Sequence, residues 1–285
     1  MIVSRQMRIA ISGNDGFIAP HLTEMLGGDA IEVSGEILSE SRLLDATLAS
    51  ADCLVHFNGH PPDVEVERND PDAPRMMQER ARGIIDAKKR HHGLHLILVG
   101  SLRVHPEDPD EGFSGETTLS PRDATAEGQL WVEERALENA TDESPVSILR
   151  VSNVHGMPLE GEKGRGYLHK FAGEALTGWV GVPGDGSGMK DMIHVSDVCS
   201  IIAEIAHAPP PTREALAMGN GWAHPISELA ELMAGEMGAE VQLWSPERDG
   251  VWGVVDVNPL QQRIAYEPMV SVQEMIQEAL ANASF

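Results

Sequence analysis

Residues 13–19 read GNDGFIA and follow directly on the apolar run MRIAIS. Gly13, Gly16 and Ala19 stand at the G-x-x-G-x-x-G/A positions of a turn that brings backbone N–H groups and a helix N-terminus up to a pyrophosphate. The spacing predicts that Gly13, Asn14, Gly16, Phe17 and Ile18 contact a dinucleotide, NAD or NADP. Asp15 places a carboxylate in the same turn, where it repels phosphate unless it points outward. Glu36, in Ser34-Gly35-Glu36 after the second apolar run, is the candidate for holding an adenosine ribose. The next cation after it is Arg42, too far on to argue for a 2′-phosphate, so NAD is favoured over NADP.

Histidine supplies the other chemistry-bearing groups, with twelve in the chain. His91 and His92 end the run KKRHH, which reads as the basic terminus of a helix, favourable at its dipole, and His95 opens a strand. No metal site is expected from them. Cys53 and Cys199 lie inside the apolar runs DCLVHF and DVCSII and read as buried thiols, neither disulfide-bonded nor metal-binding.

Strands and helices in alternation must hold these groups. Residues 7–13, 30–34, 52–58, 94–101 and 146–152 read as near-continuous apolar strands. Residues 17–26, 76–92 and 123–140 read as helices between them. This pattern predicts an α/β fold, a Rossmann-type doubly wound parallel sheet covered on both faces. Beyond residue 157 the chain is richer in Gly and Pro, with amphipathic helices at 194–208 and 226–238. It reads as a smaller C-terminal α/β lobe for substrate. The expected division is 1–156 for the dinucleotide-binding domain and 157–285 mainly for the lobe, interleaved with the first.

The 285 residues contain 41% apolar side chains, enough for a real core. No apolar run approaches the ~20 residues that cross a bilayer. The N-terminus lacks the apolar stretch and cleavage site of a signal peptide, so a soluble cytoplasmic protein is expected. Net charge is −24, from 45 acidic and 21 basic residues. Such a field repels nucleic acid and anionic membrane, and neither is an expected partner.

Further motifs follow in a fixed order: ADCLVHFNG, LILVGSLRVH, SILRVSNVHG, VPGDGSGMKDMIHVSDV, MGNG followed by ISELAELM, and ERDGV. Together with the glycine turn they resemble the extended short-chain dehydrogenase/reductase family, the NAD-dependent sugar-nucleotide epimerases and dehydratases. The GDGSGMKDMIHV block is the most specific of them. The resemblance implies a nucleotide sugar or related polyol as small-molecule substrate, a homodimer, and cofactor contacts from Asn58 and Gly59. It implies substrate contacts from Asn153, Lys190 and Arg248, the two cations gripping a nucleotide diphosphate.

The family's proton and hydride chemistry uses a Ser or Thr, a Tyr and a Lys four residues on, and a supporting Asn. Ser101 matches the hydroxyl position. The landmarks Leu130 and Glu133 place Thr125 at the tyrosine and Gln129 at the lysine, and the asparagine position holds Arg80. The chain has two tyrosines, Tyr167 and Tyr266, and neither has a lysine four residues later. Threonine has no useful acidity near neutral pH, so Thr125 and Gln129 are expected at most to hydrogen-bond a ligand. Where the family has tyrosine, this chain has His105 and His155. In the family fold the loops of His60, His105 and Ser101 approach one another, which would make an alternative acid–base cluster.

Three readings follow. The first is an NAD(P)-binding epimerase/dehydratase-type enzyme with an atypical active site. The second is a non-catalytic ligand-binding or scaffold relative, pairing through the 123–140 helix with an exposed Trp131. The third is a non-redox isomerase or lyase using His and Ser.

Overall fold

The computed structural model describes residues 7–13, 16–59, 70–109, 112–160, 164–247 and 253–283. Asn14, Asp15, His60 and Arg248, all singled out above, lie outside the described residues. In chain order the elements are β1 (Ile9–Ser12), α1 (Ile18–Leu26), β2 (Ala30–Val33), α2 (Gly35–Ser39), α3 (Ser41–Leu48), β3 (Cys53–Phe57), α4 (Ala73–Arg90), β4 (His95–Ser101), α5 (Ala124–Glu138) and β5 (Val146–Val151). There follow β6 (Asn153–His155), α6 (Gly166–Ala175), β7 (Trp179–Val182), β8 (Met189–His194), α7 (Val195–His207), β9 (Arg213–Met218), β10 (Ala223–Pro225), α8 (Ile226–Met237), β11 (Glu240–Leu243), α9 (Asn258–Arg263) and α10 (Val272–Ala283). Every strand and helix expected from periodicity is found, its limits shifted by a few residues. None of the described helices is long and apolar enough to cross a membrane.

The chain divides into two compact units, each of discontinuous segments. One comprises Met1–Pro106, Leu119–Arg150 and Cys199–Leu216; the other comprises Glu107–Thr118, Val151–Val198 and Ala217–Phe285.

The first unit is built on a six-stranded sheet in the order β2-β1-β3-β4-β5-β9, with β1 parallel to both β2 and β3, and β3 parallel to β4. The central strands β1, β3 and β4 are largely apolar and buried because both faces are covered. One face packs Leu54, Leu96, Leu98 and Ile148 against Leu44, Ile84 and Val132 of the helices. The order reverses at β1, which has β2 on one side and β3 on the other. Such a switch point opens a crevice at the carboxyl ends of the strands.

Two features fix the helices of this unit. Helices α4 and α5 approach closely at Gly128, where a Cβ would stand 2.9 Å from both Met77 Sδ and Pro74 Cα. Lys88, at the end of α4, is 1% exposed. Its ammonium donates to Ser144 O at 2.6 Å, Ser144 Oγ at 2.8 Å and the α5-terminal Asn139 O at 3.4 Å. Burial lowers the Lys88 ammonium from its usual range to about 8.

The second unit holds a three-stranded sheet, β10-β8-β6, and a two-stranded one, β11-β7. Its core packs Leu168 and Phe171 of α6 with Val180, Leu229, Met233 and Ile276. Buried Asp191 on β8 accepts backbone N–H bonds from Asn220 at 2.7 Å, Gly221 at 3.1 Å and Val255 at 3.2 Å, tying the β9–β10 turn to the segment before α9.

Candidate active site

The glycine turn sits at the switch point. Gly13 follows β1 with φ +80, a conformation that L side chains rarely adopt, and a Cβ there would lie 2.5 Å from Phe57 O at the end of β3. Only glycine lets the two strand ends come so close. Gly16 and Gly59, by contrast, have no atom of the described residues within 4 Å of where a Cβ would be. The ends of β1 and β3 therefore carry bare backbone facing open space, which fits the close approach of a pyrophosphate. Phe17 and Ile18 open α1 and are half-buried; the Phe17 ring lies against His21, ring centroids 4.9 Å apart. Glu36 lies exposed in the first turn of α2, which Ser34 caps by accepting the Ile37 N–H at 3.3 Å.

Beside this turn, His56 of β3 shares a 2.8 Å hydrogen bond with Ser12 Oγ of β1. Burial, helped by the charge of Arg80 on α4, lowers the imidazole to about 4 and keeps it neutral.

Gln129, expected at the family's lysine position, turns its amide nitrogen to the protein. It is buried, and its Nε2 donates to Asn58 O at 2.9 Å, while Asn58 Nδ2 donates back to Gln129 O at 3.1 Å. The Asn58 side chain, expected on the cofactor, is thereby committed to α5. Thr125 lies one turn earlier on the same helix and is half-buried.

Ser101 ends β4 and is half-buried; its Oγ accepts the Arg103 N–H at 3.3 Å, which leaves its own hydroxyl proton available to donate. Residues Leu102–Val104 form one 3-10 turn. This turn sends Arg103 to Asp123, the N-cap of α5, whose Oδ1 accepts the Ala126 N–H at 2.8 Å. Arg103 Nε meets Asp123 Oδ2 at 2.7 Å, and Nη2 bonds the same oxygen.

His105 is fully buried. Its Nε2 lies 3.4 Å from Arg150 Nη1, and since a guanidinium can only donate, that nitrogen accepts. Arg150 in turn donates to Glu133 Oε2 through Nη2 at 2.9 Å and Nε at 3.1 Å. Burial raises the Glu133 carboxyl against the opposing pull of Arg150. Glu133, His105 and Arg150 form an interior polar cluster, in which His105 has no surface to offer a substrate. Trp131, expected to be exposed, is half-buried against the core with the Arg135 guanidinium 5.8 Å from its ring centroid.

In the second unit, Asn153 Nδ2 donates to Asp191 O at 2.9 Å across the β6–β8 pair. Lys190 is 7% exposed and holds its ammonium 4.9 Å from the centre of the Tyr167 ring. His155 is buried beside His169 and His194; burial first, and then those neighbours, lowers it to about 3.

Ser101, Thr125, Gln129 and the glycine turn thus belong to one unit, and Asn153 and Lys190 to the other. Sequence reasoning overlooked Arg103 and Asp123. Twenty residues separate them and no motif links them; the one available signal was an N-cap aspartate ahead of a helix pattern.

Residues 9–215 match the family model described as the NAD dependent epimerase/dehydratase family. The chain is 24% identical to a dTDP-glucose 4,6-dehydratase of Actinoplanes sp., over 96% of this chain and 97% of that protein. Among solved structures it is similar to dTDP-glucose 4,6-dehydratase of Bacillus anthracis in complex with NAD. That match has TM-score 0.80 and 18% identity over 98% of each chain. MoeE5 in complex with UDP-glucose and NAD is equally similar in shape, with TM-score 0.80 and 19% identity over 97% of this chain and 98% of that one. The same protein in complex with UDP-glucuronic acid and NAD also superposes with TM-score 0.80, at 18% identity over 97% of this chain and 99% of that one.

Proposed function

The chain belongs to the NAD dependent epimerase/dehydratase family, and from that premise we propose that it binds NAD(P) and a nucleotide sugar or related polyol at an atypical active site. The observation that carries the reading is the paired strand ends. Gly13 is forced against Phe57 O, while Gly16 and Gly59 face open space, a cradle suited to a pyrophosphate. NAD(P), when bound, supplies a hydride acceptor or donor. Ser101 orients a substrate oxygen with its free hydroxyl proton, and Thr125 adds a second hydroxyl. Asn153 and Lys190, with Arg248, serve the nucleotide sugar. The helical face of α5 serves a homodimer.

Ordinary hydride transfer is slow or absent in this reading. No phenol stands at position 125 to take the proton, and no ammonium at 129 to lower its pKa. A second reading, a ligand-binding relative without turnover, is favoured by one observation: the Gln129 Nε2 is bonded to Asn58 O rather than left for a ribose. The isomerase or lyase reading through His105 gains nothing from a fully buried imidazole.

The test is thermal unfolding with and without 1 mM NAD(H) or NADP(H), followed by single-turnover assays with UDP-glucose. A rise in melting temperature with a dinucleotide supports the binding claim, and no rise with either overturns it. Nicotinamide reduction at a rate typical of enzymes, above ~1 s⁻¹, would overturn the claim of impaired hydride chemistry.

A further inference from the structure

Resting on the reading of the site as one for a nucleotide sugar, we propose that Arg103 makes this site select a sugar that carries a carboxylate. Arg103 stands two residues after Ser101 and is tied to it through the Arg103 N–H to Ser101 Oγ bond. Its guanidinium is a third exposed, whereas the Asp123 carboxyl that neutralises it is 2% exposed. The negative partner is thus enclosed and the positive group faces outward, so a ligand meets the cation and not the pair's net charge.

The way the two side chains meet decides what Arg103 can still do. Asp123 uses one oxygen, Oδ2, on the Nε and Nη2 side of the fork. Among the described residues Arg103 makes no side-chain hydrogen bond through Nη1. The Nη1–Nη2 edge is left for a second planar anion, and two parallel N–H groups match the two oxygens of a carboxylate. Asp123 is itself held at the N-cap of α5 by the Ala126 N–H, so the guanidinium is fixed before a ligand arrives. Ser101 stands two residues before Arg103, bonded to its backbone N–H, and Thr125 two residues beyond Asp123 on the first turn of α5. A fixed guanidinium next in the chain to the Ser101 hydroxyl favours a uronate-type sugar over its neutral counterpart.

The carboxylate belongs on the sugar rather than on the nucleotide. Arg103 is set beside Ser101, the residue taken to hold the reacting sugar oxygen, in the same short turn. A charge-assisted bidentate contact at this site is worth about tenfold or more in affinity.

The test uses the full chain saturated with NAD and isothermal titration with UDP-glucuronic acid and UDP-glucose. The wild type is expected to bind UDP-glucuronic acid at least ~10-fold more tightly than UDP-glucose. In the double variant Arg103→Met, Asp123→Asn that preference disappears and UDP-glucose affinity is retained. Asparagine caps a helix as well as aspartate does, and no buried carboxylate is left unpaired, so the variant keeps its fold, as its melting curve will check. Equal affinities in the wild type, or a preference that survives in the variant, overturn the role of Arg103 and leave the nucleotide-sugar reading standing. If neither UDP-sugar binds, the nucleotide-sugar reading fails, and melting shifts with millimolar D-glucuronate and D-glucose decide for Arg103. A shift with glucuronate alone, absent from the variant, upholds it; equal shifts, or none, overturn it.

Discussion

Gln129 and Asn58 exchange hydrogen bonds in both directions, side-chain amide to backbone carbonyl each way, at 2.9 and 3.1 Å. The pair clasps α5 to the end of β3, beside the glycine turn.

Replacing that fastening should therefore cost stability before it costs chemistry. Gln129→Ala removes the donor to Asn58 O, and Asn58 is 3% exposed, so its carbonyl is left buried without that bond. Such a loss is worth about 1–3 kcal/mol. Urea unfolding is expected to show a lower midpoint with an unchanged slope.

The glycine turn predicts a sharper effect at a neighbouring position. Gly13→Ala places a methyl group 2.5 Å from Phe57 O on a backbone with φ +80. Strain of about 1–3 kcal/mol is expected, together with loss of any melting shift caused by NAD(H). Gly16→Ala meets nothing within 4 Å among the described residues. It is expected to melt close to the wild type while still weakening the NAD(H) shift, because its methyl group occupies the space of the cradle.

Asp191 gives the second unit a pH dependence whose sign can be stated. Burial raises its carboxyl from 3.8 to about 6, against the opposing effect of the backbone N–H bonds from Asn220, Val255 and Gly221. A folded-state pKa above the unfolded one stabilises most below pH 3.8, and that contribution is lost as pH rises through about 6. Asp191→Asn keeps one acceptor oxygen but presents an amide N–H to one of the donors. Its absolute stability is expected to fall, and the change in stability between pH 4 and 6 to flatten. An unaltered slope in denaturant titrations across that range would assign the pH dependence elsewhere.

Lys88 predicts a similar measurement in the first unit with the opposite trend. Burial lowers its ammonium to about 8. Between about pH 8 and 10.5 the unfolded chain holds a proton that the folded chain has shed, so this group makes stability rise with pH across that window. Lys88→Met abolishes the rise. It also leaves Ser144 O and Asn139 O without their ammonium donor, at a cost of about 1–3 kcal/mol measurable at pH 7.

What the sequence determined by itself is whatever is local or cumulative. Apolar runs alternating with helical periods fixed the strands and helices of the first unit, because burial on both sheet faces demands such runs wherever the chain crosses the core. The glycine spacing picked out the tight turn after β1, since φ and steric limits act over a few residues. Counting alone shows that neither tyrosine is followed by a lysine four residues on. What only the tertiary structure decided are the partners of buried polar groups. Gln129 meets Asn58 across 71 positions, Lys88 meets Ser144 across 56, and Arg103 meets Asp123 across 20. No periodicity encodes those distances. They follow from the strand order β2-β1-β3-β4-β5-β9, which sets β3, β4 and β5 side by side, and from the close approach of α4 and α5 at Gly128. A buried donor must find an acceptor wherever packing leaves one. That requirement made Gln129 a structural clasp and fixed the Arg103 guanidinium on Asp123 in the turn after Ser101.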